Sequence, residues 1–424
     1  MRPCDVVLLS TADFDHPFWT NKQHVAVQLA ARGFRVLYID SLGLRRPSTS
    51  AQDVRRIGRR LRRAITGPRT VRPGLYVWSP LVLPFQKHAL VRACNRGALS
   101  MALARQVRRL GFERPLLWTY NPLTTRLLRT DGFAGVVYHC VDDISAQPGM
   151  PAGVLDRFEE ELVRAADIVF TTSPRLAHTR GRWNANTHYL PNVADFEHFS
   201  RALDPALDVP ADLARIAGPR IGFVGAISGY KLDFSLIRHI AEQRPDWSLV
   251  LIGHIGEGDP WTDAAQLAGL PNLHLLGPRP YADLPAYLRG IDVAMLPNAR
   301  NDYTASMFPM KFFEYLAAGR PVVSVDLPAL RDYADMARLA GSPGAFVDAI
   351  AASLRGEHAP LEKRLALARQ NTWAARLDRM MTLLETTPAR TGARPAAAAR
   401  HARASDVSAS PVASLSVPRP DRAA

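Results

Sequence analysis

Short runs of consecutive apolar residues alternate along this chain with longer stretches whose apolar positions recur at helical spacing. Val6–Ser10, Val36–Asp40, Leu75–Ser79, Leu116–Thr119, Val136–Cys140 and Ile168–Thr171 read as strands. Trp19–Arg32, Ala89–Leu110 and Leu155–Ala166 read as helices between them. Strands apolar on both faces fit a parallel sheet with helices on both sides. After a polar link at Asp204–Gly218, a second alternation opens at Arg220-Ile221-Gly222-Phe223-Val224-Gly225. Its later strands are Leu249–Ile252, Leu273–Leu276, Val293–Leu296 and Val322–Val325. The pattern predicts an α/β protein of two doubly wound, Rossmann-like domains, 1–195 and 196–365. Helices follow over 366–385, the clearest at Trp373–Glu385. Ligands of such sheets bind outside the carboxyl ends of the strands, so a cleft between the two domains is the expected site. From Thr386 onward Ala, Arg, Pro and Ser dominate, and residues 386–424 are expected to be disordered because they bury too little to offset ordering.

Three stretches carry chemistry. In Phe308-Pro309-Met310-Lys311-Phe312-Phe313-Glu314, Pro309 suits the first position of a helix. The amides of Met307–Pro309, aided by the helix dipole, would then face a phosphate or diphosphate. Glu314, about a turn further in, can accept hydrogen bonds from sugar hydroxyls; Gly319 ends the helix. In Gly222-Phe223-Val224-Gly225-Ala226-Ile227-Ser228-Gly229-Tyr230-Lys231, a strand, the Gly225 turn and Lys231 form a cradle for a diphosphate. Val136–Cys140 is a strand that leads to two carboxylates, Asp142 and Asp143, where a parallel sheet presents functional groups. His139 just before them reads as a packed core residue.

Composition narrows the setting. The chain has 424 residues, 47% of them hydrophobic, enough for two cores. Cys4, Cys94 and Cys140 match neither a disulfide framework nor a metal-ligand spacing, which points to a reducing cytosol. No uncharged apolar run approaches the roughly 18 residues of a membrane span, and the start reads as a strand, not a signal peptide. The net charge of +14 is concentrated: Val54–Phe112 holds thirteen Arg, one Lys and no acid. Such a field calls for an anionic partner.

Together the helix with Glu314 and the following Ala318-Gly319-Arg320-Pro321-Val322-Val323 resemble the donor-binding segment of GT-B glycosyltransferases of the retaining family-4 kind. The nearest likeness is to bacterial polysaccharide glycosyltransferases of the teichuronic-acid type, over roughly residues 1–385. The resemblance implies a GT-B fold, with the final helix crossing back to the first domain. It also implies a nucleotide-sugar donor bound by Gly225, Lys231, Arg279, Met307, Phe308, Pro309 and Glu314. Glu314 would hold the nucleotide ribose, and Gly277-Pro278-Arg279-Pro280 would hold the base through backbone groups. Asp142 would contact the donor sugar, and Asp142 and Lys231 would be the catalytic pair. Trp19-Thr20-Asn21-Lys22-Gln23-His24 would open into the cleft, where Asn21, Lys22, Gln23 and His24 meet the acceptor. The chain departs from the family twice: Ala226 stands where an Arg is usual, and Ser306 stands where a first Glu would precede Glu314 by eight positions. No Asp-x-Asp pair calls for a metal, and no cofactor is implied.

The basic region adds a location. Over 51–72, Val54, Ile57, Leu61, Ala64 and Ile65 fall at helical spacing, while Arg55, Arg56, Arg59, Arg60, Arg62 and Arg63 fill most other positions. That is the pattern of a helix lying in an anionic membrane interface, against the plainer reading of a solvated helix. Aromatics that could stack on bases are absent from Gln52 to Gly74, so nucleic acid is not the expected partner. The chain thus reads as a cytoplasmic, peripheral membrane glycosyltransferase that uses a nucleotide sugar and a lipid-linked or saccharide acceptor. A nucleotide-sugar epimerase on the same fold and a non-catalytic nucleotide-sugar-binding assembly protein are the alternatives.

Overall fold

A computed structural model describes residues 4–16, 19–42, 67–80, 89–150, 152–256, 259 and 261–387. The six arginines from Arg55 to Arg63 and nearly all of the expected tail lie outside the described residues.

Eight strands form the first sheet: β1 (Asp5–Leu9), β2 (Arg35–Ile39), β3 (Arg69–Arg72), β4 (Leu75–Trp78), β5 (Leu116–Thr119), β6 (Val136–Cys140), β7 (Ile168–Thr171) and β8 (Thr187–Tyr189). Their spatial order is β3-β4-β2-β1-β5-β6-β7-β8, parallel except for β3 against β4. Residues of β1, β6 and β7 are buried on both faces, which is why the apolar runs are continuous rather than alternating.

The second sheet contains β9 (Arg220–Val224), β10 (Ser248–Ile252), β11 (Leu273–Leu275), β12 (Val293–Leu296), β13 (Val322–Val325) and β14 (Ala337–Ala340). Its order, β11-β10-β9-β12-β13-β14, is parallel throughout. The order reverses between β9 and β12. The crevice beyond their carboxyl ends is therefore the place where the topology itself opens a ligand site.

Helix α1 (Asn21–Ala31) packs against the closing helix of the described chain, α2 (Trp373–Thr386). Leu377 and Met380 of α2 sit in the core under the first sheet, and Arg32 pairs with Asp378 at 2.7 Å. The chain thus returns from the second sheet to the first.

Three strands were not evident in the pattern. β3 is a polar edge, β8 has three residues, and β14 (Ala-Arg-Leu-Ala) has a helix former's composition. Pairing with a neighbouring strand overrides local preference in each.

Candidate active site

The site is assembled from the ends of β9 and β10. Glycines are required there: a Cβ on Gly253 would lie 1.7 Å from the Gly225 carbonyl oxygen, so the two strand ends could not approach. The helix that follows, Lys311–Ala317, is pinned to this edge because the Val224 amide donates to Tyr315 Oη at 2.9 Å. The pin brings Glu314 beside the Gly225 turn. Glu314 is 4% exposed, and its carboxylate pairs with Lys311 Nζ at 3.0 Å. The Lys311 arm passes over the same turn, its Cε 3.4 Å from where a Gly225 Cβ would stand. Lys311 was not singled out in the sequence; its position one turn before Glu314 was the available signal.

The run from Met307 to Pro309 differs from expectation. The helix begins at Lys311, so Pro309 is not its first residue. The Met307 amide already donates to Thr304 at 3.3 Å, Pro309 has none, and the Phe308 carbonyl accepts from Asn192 Nδ2 at 2.7 Å. Buried Phe308 instead stacks on Phe313, ring centroids 5.4 Å apart. The Arg279 guanidinium is likewise committed elsewhere, to Asp212 (2.6 Å) and Tyr287 Oη (2.6 Å). In the same loop the Gly277, Pro278 and Pro280 carbonyls already accept hydrogen bonds, from the Gly253 amide, the Arg279 side chain and the Asp283 amide, each at 3.0 Å.

Lys231 follows a turn closed by its own amide on the Ser228 carbonyl at 2.9 Å. Its ammonium lies 5.3 Å from the Tyr230 ring centroid, and Tyr230 packs edge-on against Tyr303. Tyr303 Oη donates to Asp142 Oδ1 at 3.3 Å across the cleft. Ser228 Oγ and Asn298 Oδ1, at the ends of β9 and β12, are buried with no hydrogen-bond partner among the described residues. An ordered water or a ligand would supply the missing bonds.

The opposite wall is the first sheet. Asp143 is held by Ser145 (2.8 Å), Arg180 (3.5 Å) and Ser306 Oγ (3.4 Å). Ser306, where the family resemblance placed a Glu, is fully buried, and its carbonyl accepts from Ser173 Oγ at 2.8 Å. Asp302 turns outward to Arg175 at 2.8 Å and does not substitute for that Glu.

Of the four acceptor-side candidates, Lys22 is 8% exposed, with its Nζ 5.8 Å from the centroid of the Tyr120 ring. Gln23 is spent on a capping box with Thr20 and on the Asp13 carbonyl at 3.1 Å. The His24 ring is stacked on Trp373 with centroids 4.3 Å apart. There it lines a cavity of about 600 Å³ together with Trp19, Phe196 and Tyr281. Burial pushes its imidazole down to about 4. Asn21 is buried in a network: its Nδ2 donates to Asn192 Oδ1 at 3.0 Å, and its Oδ1 accepts from Arg376 Nη1.

Arg376, from α2, also donates to the Leu190 carbonyl (3.2 Å) and to His139 Nε2 (2.9 Å). A guanidinium only donates, so the His139 proton sits on Nδ1, 3.0 Å from Tyr120 Oη. Burial and the Arg376 charge push the His139 imidazole well below its ordinary range, keeping it neutral. Burial lowers Arg376 to about 10, which still leaves it charged at neutral pH. The predicted core histidine is therefore one member of a polar network reaching from α2 to the Phe308 carbonyl.

Among the described residues no group of three or more His, Cys, Asp or Glu could hold a metal ion, and no helix is long and apolar enough to cross a membrane.

Against known proteins, the described chain superimposes on sucrose-phosphate synthase from Thermosynechococcus elongatus with a TM-score of 0.63 at 18% identity. The match covers 90% of this chain and 98% of that one. It also superimposes on Anabaena HepE in complex with UDP, with a TM-score of 0.61 at 15% identity, covering 90% and 100%. The chain has the GT-B fold. Residues 218–355, which carry β9 to β14, match the family "Glycosyl transferases group 1". TuaH of Bacillus subtilis (strain 168), a protein assigned as a teichuronic acid biosynthesis glycosyltransferase, is 31% identical over 235 residues. That alignment spans 51% of this chain and 57% of the relative.

Proposed function

We propose that this GT-B protein is a glycosyltransferase of bacterial cell-surface polysaccharide biosynthesis, moving a sugar from a nucleotide donor to a lipid-linked or saccharide acceptor. The observation that carries the reading is the buried Glu314–Lys311 pair pinned beside the Gly225 turn, at the topological switch of a domain that matches the group 1 glycosyltransferases. A nucleotide offers what this pair lacks: vicinal hydroxyls for the carboxylate and phosphate charge for the ammonium. The UDP held by HepE and the assignment of TuaH to teichuronic acid biosynthesis support the donor class and the setting.

In this reading Gly225 and the Gly277–Pro280 backbone bound the nucleotide, and Glu314 takes the ribose. Lys231 stabilises the diphosphate as it leaves, a role played by protein donors with no metal required. Asp142, oriented by Tyr303, faces the transferred sugar, and transfer retains configuration. The enzyme works on the cytoplasmic face of the membrane, held there by the basic segment.

The test is sugar transfer from radiolabelled UDP-, GDP- and dTDP-sugars into membrane extract. Transfer from one of them is expected, and Glu314→Ala should weaken binding of that nucleotide by roughly tenfold or more, the worth of a charge-assisted hydrogen bond. Conversion of the sugar without transfer would favour an epimerase. Tight binding without any turnover would favour an assembly protein.

A further inference from the structure

One large aromatic side chain stands in solvent where the two domains meet. Trp261 is 68% exposed, although an indole normally hides most of the roughly 150–250 Å² it can bury. A lone exposed apolar residue is ordinary on a protein surface. Trp261 differs in how it is held and in what it touches.

The loop that carries it, after β10, is fastened at several points. Asp259, 5% exposed, directs both carboxylate oxygens to it: Oδ1 accepts from the Trp261 amide at 3.1 Å, and Oδ2 from Thr262 Oγ1 at 2.8 Å. Thr262 Oγ1 in turn accepts from the Gly229 amide at 3.1 Å, two residues before Lys231. The Gly256 amide donates to the Ile227 carbonyl at 2.8 Å, and the Ile227 amide to the His254 carbonyl at 3.0 Å. The loop after β10 is thus stitched to the loop after β9 that leads to Lys231.

The ring reaches the other domain. A Cβ on Gly149 would stand 2.9 Å from Trp261 Cη2 and 3.4 Å from Cζ3, so the distal edge of the indole rests where only a glycine fits. Gly149 also has a φ of +74°, which a side chain would strain. It belongs to the segment that runs on from Asp142 and Asp143 through the turn Ile144–Ala146, closed by the Met150 amide on the Gln147 carbonyl at 3.3 Å. Trp261 therefore spans from the Lys231 loop to the continuation of the two carboxylates. With its edge in contact and the residue still 68% exposed, the flat of the ring is what remains open. A pyranose has a face lined by C–H bonds, which packs on such a ring and leaves the hydroxyls to water and polar side chains.

We propose that Trp261 is a stacking platform for a sugar ring of the acceptor, contributed by the second domain against the first. The saccharide chemistry follows from the platform, whereas its assignment to an acceptor rests on the glycosyltransferase reading. In that reading Gly225 and Glu314 seat the nucleotide, which leaves the exposed rim to the partner that enters from outside.

The probes are glucose, N-acetylglucosamine and glucuronate, a neutral, an amide-bearing and an acidic pyranose, with Trp261→Ala and Trp261→Phe as variants. Wild type should bind at least one of them, seen by saturation-transfer NMR and by a change in tryptophan emission that disappears in Trp261→Phe. Affinity should fall roughly three- to tenfold in Trp261→Ala and be largely kept in Trp261→Phe, as expected for one aromatic contact. Both variants should melt at the wild-type temperature, and UDP, GDP and dTDP should bind all three proteins alike. If a UDP-, GDP- or dTDP-sugar loses affinity in Trp261→Ala while its free nucleotide does not, the ring belongs to the donor and the acceptor assignment falls. A wild type that binds none of the nucleotides but holds a pyranose through Trp261 would remove the proposed function and keep the saccharide site. Trp261→Ala binding the pyranoses as wild type does, or a wild type that binds none of the three, would overturn the site.

Discussion

His24 shows how far a single side chain can depart from its place in a motif. The sequence puts it beside Lys22, yet two residues along a helix turn the side chain by about 200°, away from Lys22. It is stacked on Trp373 with its planes 6° apart, and burial lowers its imidazole to about 4. The linkage has a definite sign. The unfolded chain takes up this proton near pH 6.5 and the folded one only near pH 4, so stability falls as pH drops through that window. At pH 5 the loss from His24 should be about 1–2 kcal/mol, discounted for the ring edge that water reaches. His24→Phe keeps the stack and removes the proton, so its melting temperature should fall less than wild type between pH 7 and pH 5. Equal slopes for the two proteins would show that the ring titrates freely. Glu314 was singled out in the sequence from its place on the helix, and the fold buries it beside Lys311. The commitment of Arg279 was not legible, because nothing local signals its partner Asp212, 67 residues away.

At the scale of elements, the apolar runs located most strands within a residue or two, since a strand covered on both faces has no other way to be written. What the pattern could not show is how α1, the Leu190–Asn192 link, α2 and the 307–309 turn are joined. Those joints are made by single polar residues far apart in sequence: Asn21, Asn192 and Arg376. Asn192 bonds the Phe308 carbonyl at 2.7 Å and is oriented by Asn21, which Arg376 holds in turn. Removing Arg376 leaves buried acceptors on Asn21, Leu190 and His139 without their donor, so Arg376→Met should cost about 2–4 kcal/mol in urea unfolding. Asn192→Ala should cost about 1–2 kcal/mol and shift the turn next to Glu314. Because the residues act in one chain, the double variant should cost clearly less than the sum of the two singles. Strict additivity would mean that α2 and the 307–309 turn are independent.

The whole molecule poses a question of charge. Every unit of the net +14 is found within Val54–Phe112, and the remainder of the chain sums to zero. Some of that segment is accounted for inside the fold: Arg69, for example, pairs with Asp15 at 2.5 Å. The six arginines from Arg55 to Arg63 alternate with Val54, Ile57 and Leu61 in a pattern that suits an interface between water and lipid. Each basic residue near an anionic surface contributes about 1 kcal/mol, so under the proposed function the cluster has enough charge to hold the protein at a membrane carrying a lipid-linked acceptor. The first domain, which carries this segment, also carries Lys22 and Asp142, so the same half of the molecule that meets the membrane would present the acceptor side of the cleft. Sedimentation with liposomes tests the coupling directly. Wild type should bind anionic vesicles at low salt, and neutral vesicles weakly throughout. Changing Arg55, Arg56, Arg59 and Arg60 to Gln should abolish most of that binding. Raising salt from 0.1 M to 1 M should do the same, as the screening length falls from about 10 Å to about 3 Å. Transfer to a soluble saccharide should be untouched by the four substitutions, whereas transfer into membrane extract should drop with vesicle binding. If wild type ignores anionic vesicles at low salt, the arginines belong to a solvated helix and the acceptor reaches the cleft from solution.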